Sequence, residues 1–137
     1  MRIIYIRKSM KILYTVVLIA VFCSIAAGIS SDASFVYLEG LASWYSEFSA
    51  GIKPTTANME MFDHDKATCA IWGLPFDTRI EVTNLSNDRK VIVRVNDRGP
   101  AKQLCQEGRV IDLTMAAFEE IEVLEKGLIK VKIRVVE

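Results

Sequence analysis

The chain has a single histidine, three cysteines and three prolines among 137 residues, and no surplus of either charge: 17 Lys+Arg balance 17 Asp+Glu. Each shortage excludes something. His64 and, outside the leader described below, two cysteines cannot supply a four-ligand zinc site, so neither metal nor cofactor is expected. Nucleic-acid binding needs a basic surplus or stripe that a neutral chain lacks. The length is too small for a dinucleotide-binding doubly wound fold or an eightfold α/β barrel, and allows one domain. Disorder is excluded from the other side, because 51% of the residues are hydrophobic.

The apolar residues are unevenly spread. Arg2, Arg7, Lys8 and Lys11 precede a sixteen-residue apolar stretch, Ile12 to Ala27, and small residues follow, with Ala26, Gly28 and Ala33 as cleavage points. That order is a secretory signal peptide over residues 1–33. The stretch falls short of the roughly 18–20 residues of a membrane span, which favours cleavage over an uncleaved anchor. Phe22 before Cys23 argues against lipid attachment. Removing the four leader cations and Asp32 leaves residues 34–137 with 13 basic and 16 acidic residues, a net of −3. The expected location is therefore the periplasm or cell envelope, anchored to the membrane if the leader stays. In such a compartment Cys69 and Cys105 form an even pair. A bond between them would close a loop of about 37 residues and add roughly 3–4 kcal/mol; the alternative is two buried thiols.

Beyond the leader, short runs alternate with period two, the mark of half-buried strands. They cover Leu41–Ser46, Thr68–Trp72, Arg79–Thr83, Lys90–Val95, Val110–Leu113 and Leu128–Val136. In the last, Ile129, Val131, Ile133 and Val135 share a face opposite Lys130, Lys132 and Arg134. Ser86 to Arg89 reads as a turn between two strands of a hairpin. One helix is expected, capped by Thr114 and running from Met115 to Ile121, and Asp63–Lys66 fits a single helical turn. The fold class is mainly β: a small six-stranded barrel with one short helix before the last strand. Asn84-Leu85-Ser86 fits a glycosylation sequon, but its place at a strand end makes it a coincidence.

Six blocks, in order, carry a family pattern. Gly40-Leu41-Ala42-Ser43-Trp44-Tyr45 resembles the G-x-A-S-W-Y opening of RlpA-like double-psi β-barrel proteins. Thr56 to Asp63 is similar to T-A-x-G-E-x-F-D, Leu74 to Thr78 to L-P-F-G-T, Val82 to Leu85 to V-T-N-L, and Arg109 to Thr114 to R-I-I-D-L-S. Val93 to Pro100 matches V-R-V-N-D-R-G-P throughout. The resemblance implies a double-psi β-barrel over residues 34–137 and, as in rare lipoprotein A, a septal lytic transglycosylase acting on the glycan strands of peptidoglycan. It also implies an alternative, since expansin-like relatives bind polysaccharide without catalysis. Other cell-wall or division proteins are conceivable partners, and the chain is expected to act as a monomer.

A transglycosylase protonates the leaving oxygen while the sugar becomes oxocarbenium-like. The sugar's own C6 hydroxyl then closes a 1,6-anhydro end, so one carboxyl serves first as acid and then as base. The motif matches nominate Asp97 for that role and Glu60 as the assisting carboxyl. Asn96, Arg98 and the aromatic residues Trp44, Tyr45 and Trp72 are candidates for substrate contact, with Phe62 beside them. Three residues depart from the pattern. Ile71 stands where the family commonly has histidine and can exchange no proton. Met59 and Asp77 replace glycines, which predicts altered loops, since side chains avoid positive φ.

Overall fold

The computed structural model describes residues 37–136. The leader expected over residues 1–33 lies outside the described residues. Six strands close a barrel: β1 (Tyr37–Tyr45), β2 (Thr68–Ala70), β3 (Arg79–Asn84), β4 (Lys90–Asp97), β5 (Arg109–Thr114) and β6 (Leu128–Val135), in the spatial order β1-β5-β2-β4-β3-β6. All six expected runs are strands, though β2 stops at Ala70. β1 pairs parallel with β5, and β2 with β4; the other pairings are antiparallel. Of these six strands only β3 and β4 are joined as a hairpin, with Ile80 opposite Val93 and Val82 opposite Val91. The parallel neighbours are distant in sequence, as parallel pairing requires a long connection.

Period two decides what enters the barrel. Ile80 and Val82, Val93 and Val95, Ile111 and Leu113, and Ile129, Val131 and Ile133 all point inward and are buried. Among the alternating apolar residues of β6 the pattern fails at Val135, which is 42% exposed at the end of the strand. Two short α-helices lie between strands: α1 (Lys102–Gln106), which no amphipathic signal announced, and α2 (Met115–Glu119), which adds Ala117 and Phe118 to the core. α2 ends before the expected Ile121, and Thr114 does not cap it. The Thr114 hydroxyl donates to the Lys66 carbonyl at 2.6 Å and accepts the Thr68 N–H at 3.4 Å. It therefore ties β5 to the start of β2. Asp63–Lys66 forms a turn rather than a helical segment, closed by the Lys66 N–H on the Asp63 carbonyl at 3.3 Å.

Two further expectations meet the packing directly. Cys69 and Cys105 are free thiols, so the expected disulfide is not formed. Cys69 points from β2 into the barrel core, whereas Cys105 is exposed on α1 with its sulfur 3.4 Å from the Pro100 carbonyl. A disulfide needs its two β-carbons about 4 Å apart, which a core-facing and a surface thiol do not supply. Asn84 is fully buried, and its side-chain amide donates to the Ile121 carbonyl at 3.0 Å. That burial agrees with reading the sequon as a coincidence.

The glycine that opens the first motif has a steric role. A β-carbon at Gly40 would collide with both Val110 methyl groups and sit 3.0 Å from the Gly108 carbonyl. This is where β1 approaches β5. Overpacking of this kind costs about 1–3 kcal/mol, so Gly40→Ala is expected to lower the thermal midpoint by several degrees. A melting curve indistinguishable from wild type would contradict this close approach.

Candidate functional site

One outer row of side chains crosses four strands. Ser43 of β1 pairs with Asp112 of β5, Asp112 with Ala70 of β2, and Ala70 with Asp97 of β4. Directly paired residues share a face, so both carboxyls project outward on either side of a methyl group. At roughly 4.8 Å per strand their α-carbons lie about 10 Å apart.

Asp97 reaches this face through an irregularity. Strict alternation from the inward Val93 and Val95 would turn residue 97 inward as well. Instead the register shifts, so that Cys69 pairs with Val95 but Ala70 pairs with Asp97. A bulge of this kind re-aims a side chain, and here both Asn96 and Asp97 face outward. Asp97 Oδ1 accepts the Ala57 N–H at 2.9 Å and the Arg98 N–H at 2.8 Å. Its Oδ2 lies 3.5 Å from the Tyr45 hydroxyl, which donates to it. Burial, and next the Asp97 carboxylate, push the Tyr45 phenol far up, so it stays protonated as a donor.

Asp112 is a candidate that the motif reading did not nominate. Its Oδ1 accepts the Ser43 hydroxyl, which in turn accepts a hydrogen bond from Arg109 Nη1 at 2.9 Å. Its side chain is 19% exposed. Burial, and to a lesser degree the neighbouring Asp97, raise its pKa, against the lowering by Ser43 and Arg109. A β-carbon at residue 99 would press on Asp112 Oδ2 at 3.3 Å and on the Ala70 methyl at 3.1 Å. Gly99 is thus the residue type that fits over this notch. The available signal was a carboxylate within the otherwise apolar run Val110–Leu113.

Glu60 sits apart from this pair. Arg94 grips it with both terminal nitrogens, at 2.9 and 2.8 Å, and Asn96 Nδ2 adds a third bond at 3.2 Å. These hydrogen bonds, Arg94 foremost, lower its pKa from 4.5 to about 2. Such a carboxylate is an anchor and a poor proton donor. Asp97 and Glu60 also line different hollows. Asp97, Arg98, Ile52, Thr56, Ala57 and Met59 are among the walls of one of about 440 Å³. Glu60, Asn96, Arg94, Lys66 and Thr68 are among those of another of about 410 Å³.

The aromatic candidates separate as well. Tyr45 and Phe62 are buried and stacked on each other, ring centroids 4.7 Å apart. Trp44 lies on the core side of β1, its indole N–H donating to the Leu124 carbonyl at 3.0 Å. Neither Trp44 nor Phe62 lines the hollow beside Asp97. Trp72 is half exposed and donates to the Pro100 carbonyl at 2.7 Å, across the cis Gly99-Pro100 bond. Arg98 keeps its guanidinium over the Phe76 ring, 3.8 Å from the centroid, and bonded to the Ile71 carbonyl at 3.2 Å. Ile71 itself faces the core.

Met59 and Asp77 adopt the backbone conformation that favours glycine. Both keep positive φ, 72° and 67°. Asp77 is offset by an ion pair with Arg94 at 2.8 Å. Arg94 therefore bridges Glu60 and Asp77, and its hold on Glu60 is pH-dependent. A carboxylate with a depressed pKa contributes stability above its unfolded pKa and loses it as pH falls through the folded value. For Glu60 that window runs from 4.5 down to about 2. Proteolysis of the 51–61 loop is expected to accelerate across this window in wild type, while Glu60→Gln is already cleaved fast at neutral pH. Equal cleavage of the two proteins at pH 7 would remove the anchor role.

The family described as Lytic transglycolase matches residues 37–133. The probable endolytic peptidoglycan transglycosylase RlpA of Synechocystis is 43% identical over 98 residues, 72% of this chain and 29% of that protein. The endolytic peptidoglycan transglycosylase RlpA of Campylobacter jejuni is 40% identical over 98 residues, 72% of this chain and 34% of that protein. The chain thus spans about a third of the length of the curated relatives it matches. Among solved structures, a Streptomyces papain inhibitor superposes with a TM-score of 0.59 at 23% identity, covering 74% of this chain and 96% of the inhibitor. An apo expansin of Clavibacter michiganensis superposes with a TM-score of 0.57 at 21% identity, covering 74% and 51%. These two likenesses concern the fold.

Proposed function

The chain belongs to the lytic transglycolase family, a double-psi barrel family, and from that premise we propose that it is an exported enzyme that cuts peptidoglycan glycan strands without hydrolysis. The observation that carries the reading is the row Ser43–Asp112–Ala70–Asp97, with one carboxyl of raised pKa beside another. Neighbouring carboxyls whose environments differ are the usual sign of divided acid and base work. The leader pattern of residues 1–33 supports a place in the cell envelope.

In this mechanism Asp112 carries the proton. It donates to the glycosidic oxygen as the C1–O bond breaks, and the Asp97 carboxylate faces the positive charge that builds on the ring. The C6 hydroxyl of the same sugar attacks C1 and gives its proton to the Asp112 carboxylate. The enzyme returns to its starting state, and no water is consumed. Ser43 and Arg109 orient Asp112. Tyr45 and the Ala57 and Arg98 N–H groups orient Asp97. Glu60 takes no proton and instead anchors the loop that walls the hollow.

Incubation with glycan strands stripped of stem peptides tests the proposal: mass spectrometry should find 1,6-anhydro ends. A second reading, a binding module that has lost catalysis, is favoured by Ile71 at the family's histidine position. It predicts sedimentation with insoluble cell wall and no soluble fragments.

A further inference from the structure

Met59 is placed where a glycine would be cheaper. Thr55–Met61 forms a tight hairpin: the Met59 N–H bonds the Thr56 carbonyl at 2.9 Å and the Thr56 N–H bonds the Glu60 carbonyl at 2.9 Å. The Asn58 side chain accepts from the Thr56 hydroxyl at 2.6 Å and from the Glu60 N–H at 3.2 Å. This is a three-residue loop whose last position is left-handed, a position that strongly favours glycine. Met59 holds it at φ 72°. The side chain does not compensate by packing, because it is 79% exposed. Neither the backbone nor the core accounts for a methionine here.

Its position accounts for it. Met59 lines the hollow that contains Asp97, on a wall shared with the apolar Ile52 and Ala57, while Thr55, Lys53 and Arg98 supply polar groups. A strained residue beside a reactive carboxyl points to a ligand contact. We propose that Met59 makes this hollow selective for N-acetylated sugars by receiving the acetamido methyl group. This rests on the glycan-cleaving reading above. A glycan strand presents mostly hydroxyl and ether oxygens, and the acetamido methyl is the apolar group that every sugar of the strand carries. A flexible, polarizable thioether is suited to that contact, and the neighbouring polar side chains can take the amide.

The test compares binding of the full chain to denuded glycan strands with binding to the same strands after de-N-acetylation and re-N-formylation, which removes the methyl group alone. Wild type is expected to prefer the acetylated strand about fourfold, the factor for one buried methyl group. Met59→Leu should keep the preference. Met59→Gln, equal in length but polar, should lose it. Met59→Gly should lose it while the thermal midpoint rises, a combination that a purely structural role does not produce. Equal binding of both strands by wild type, or a preference that survives in the Gln and Gly variants, overturns the proposal alone. Failure of wild type to bind either strand overturns the glycan-cleaving reading together with it.

Discussion

Asp112→Asn is expected to lower the rate of 1,6-anhydro end formation at least about 100-fold, the lower bound for losing a general acid, and to leave the barrel intact. Asparagine has nearly the same shape, and its carbonyl oxygen can accept the Ser43 hydroxyl that Asp112 Oδ1 now accepts. The stability consequence has a definite sign. Burial raises the pKa of Asp112 above its ordinary 3.8, so ionising it costs more in the folded chain than in the unfolded one. Wild type therefore loses stability as pH rises through that interval, and the asparagine variant does not. At pH 7 the variant should melt no lower than wild type, and the difference should vanish in acid below 3.8. Product analysis and melting curves across pH measure both effects. A variant with full activity would return the acid role to Asp97.

Ile71→His is expected to cost roughly 2.5–6 kcal/mol and to add no activity. The position reads as the family's histidine, so restoring it looks like a gain of function. The structure argues the reverse. Ile71 is 1% exposed and belongs to the core that includes Cys69, Val93 and Val95. Replacing it forfeits roughly 1.5–3 kcal/mol of apolar burial and strands an imidazole without partners, for about 1–3 kcal/mol more. In a domain of this size the thermal midpoint should fall by more than about 10 °C. Thermal unfolding and the rate of fragment release read the two parts. A variant as stable as wild type with a faster rate would show that residue 71 reaches the substrate face.

These expectations draw unequally on sequence and structure. The alternation in β3, β4 and β6 was legible because one face of each strand is buried, and burial writes itself into every second residue. The ordered motifs carried the family and with it the barrel. α1 left no trace, because five residues without a buried side chain have no amphipathic period. Val135 broke the pattern because a strand end leaves the core before its alternation stops. The free thiols were hidden for a related reason: pairing two cysteines on an even count and an oxidising compartment ignores which way each one faces.

The carboxyls show the division most clearly. Sequence alone determined that Glu60, Asp97 and Asp112 stand in ordered motifs, and that Asp97 follows the strand run Lys90–Val95. Tertiary structure decided their surroundings. Arg94 reaches Glu60 across 34 positions and holds its carboxylate in a pair. The bulge in β4 rotates Asp97 outward, against its own alternation. β2 then inserts between β5 and β4 and sets Asp97 two rungs from Asp112. Hydrophobic period is a local property and can be read along the chain. The juxtaposition of two carboxyls depends on strand order and register, which are set by pairings between distant segments.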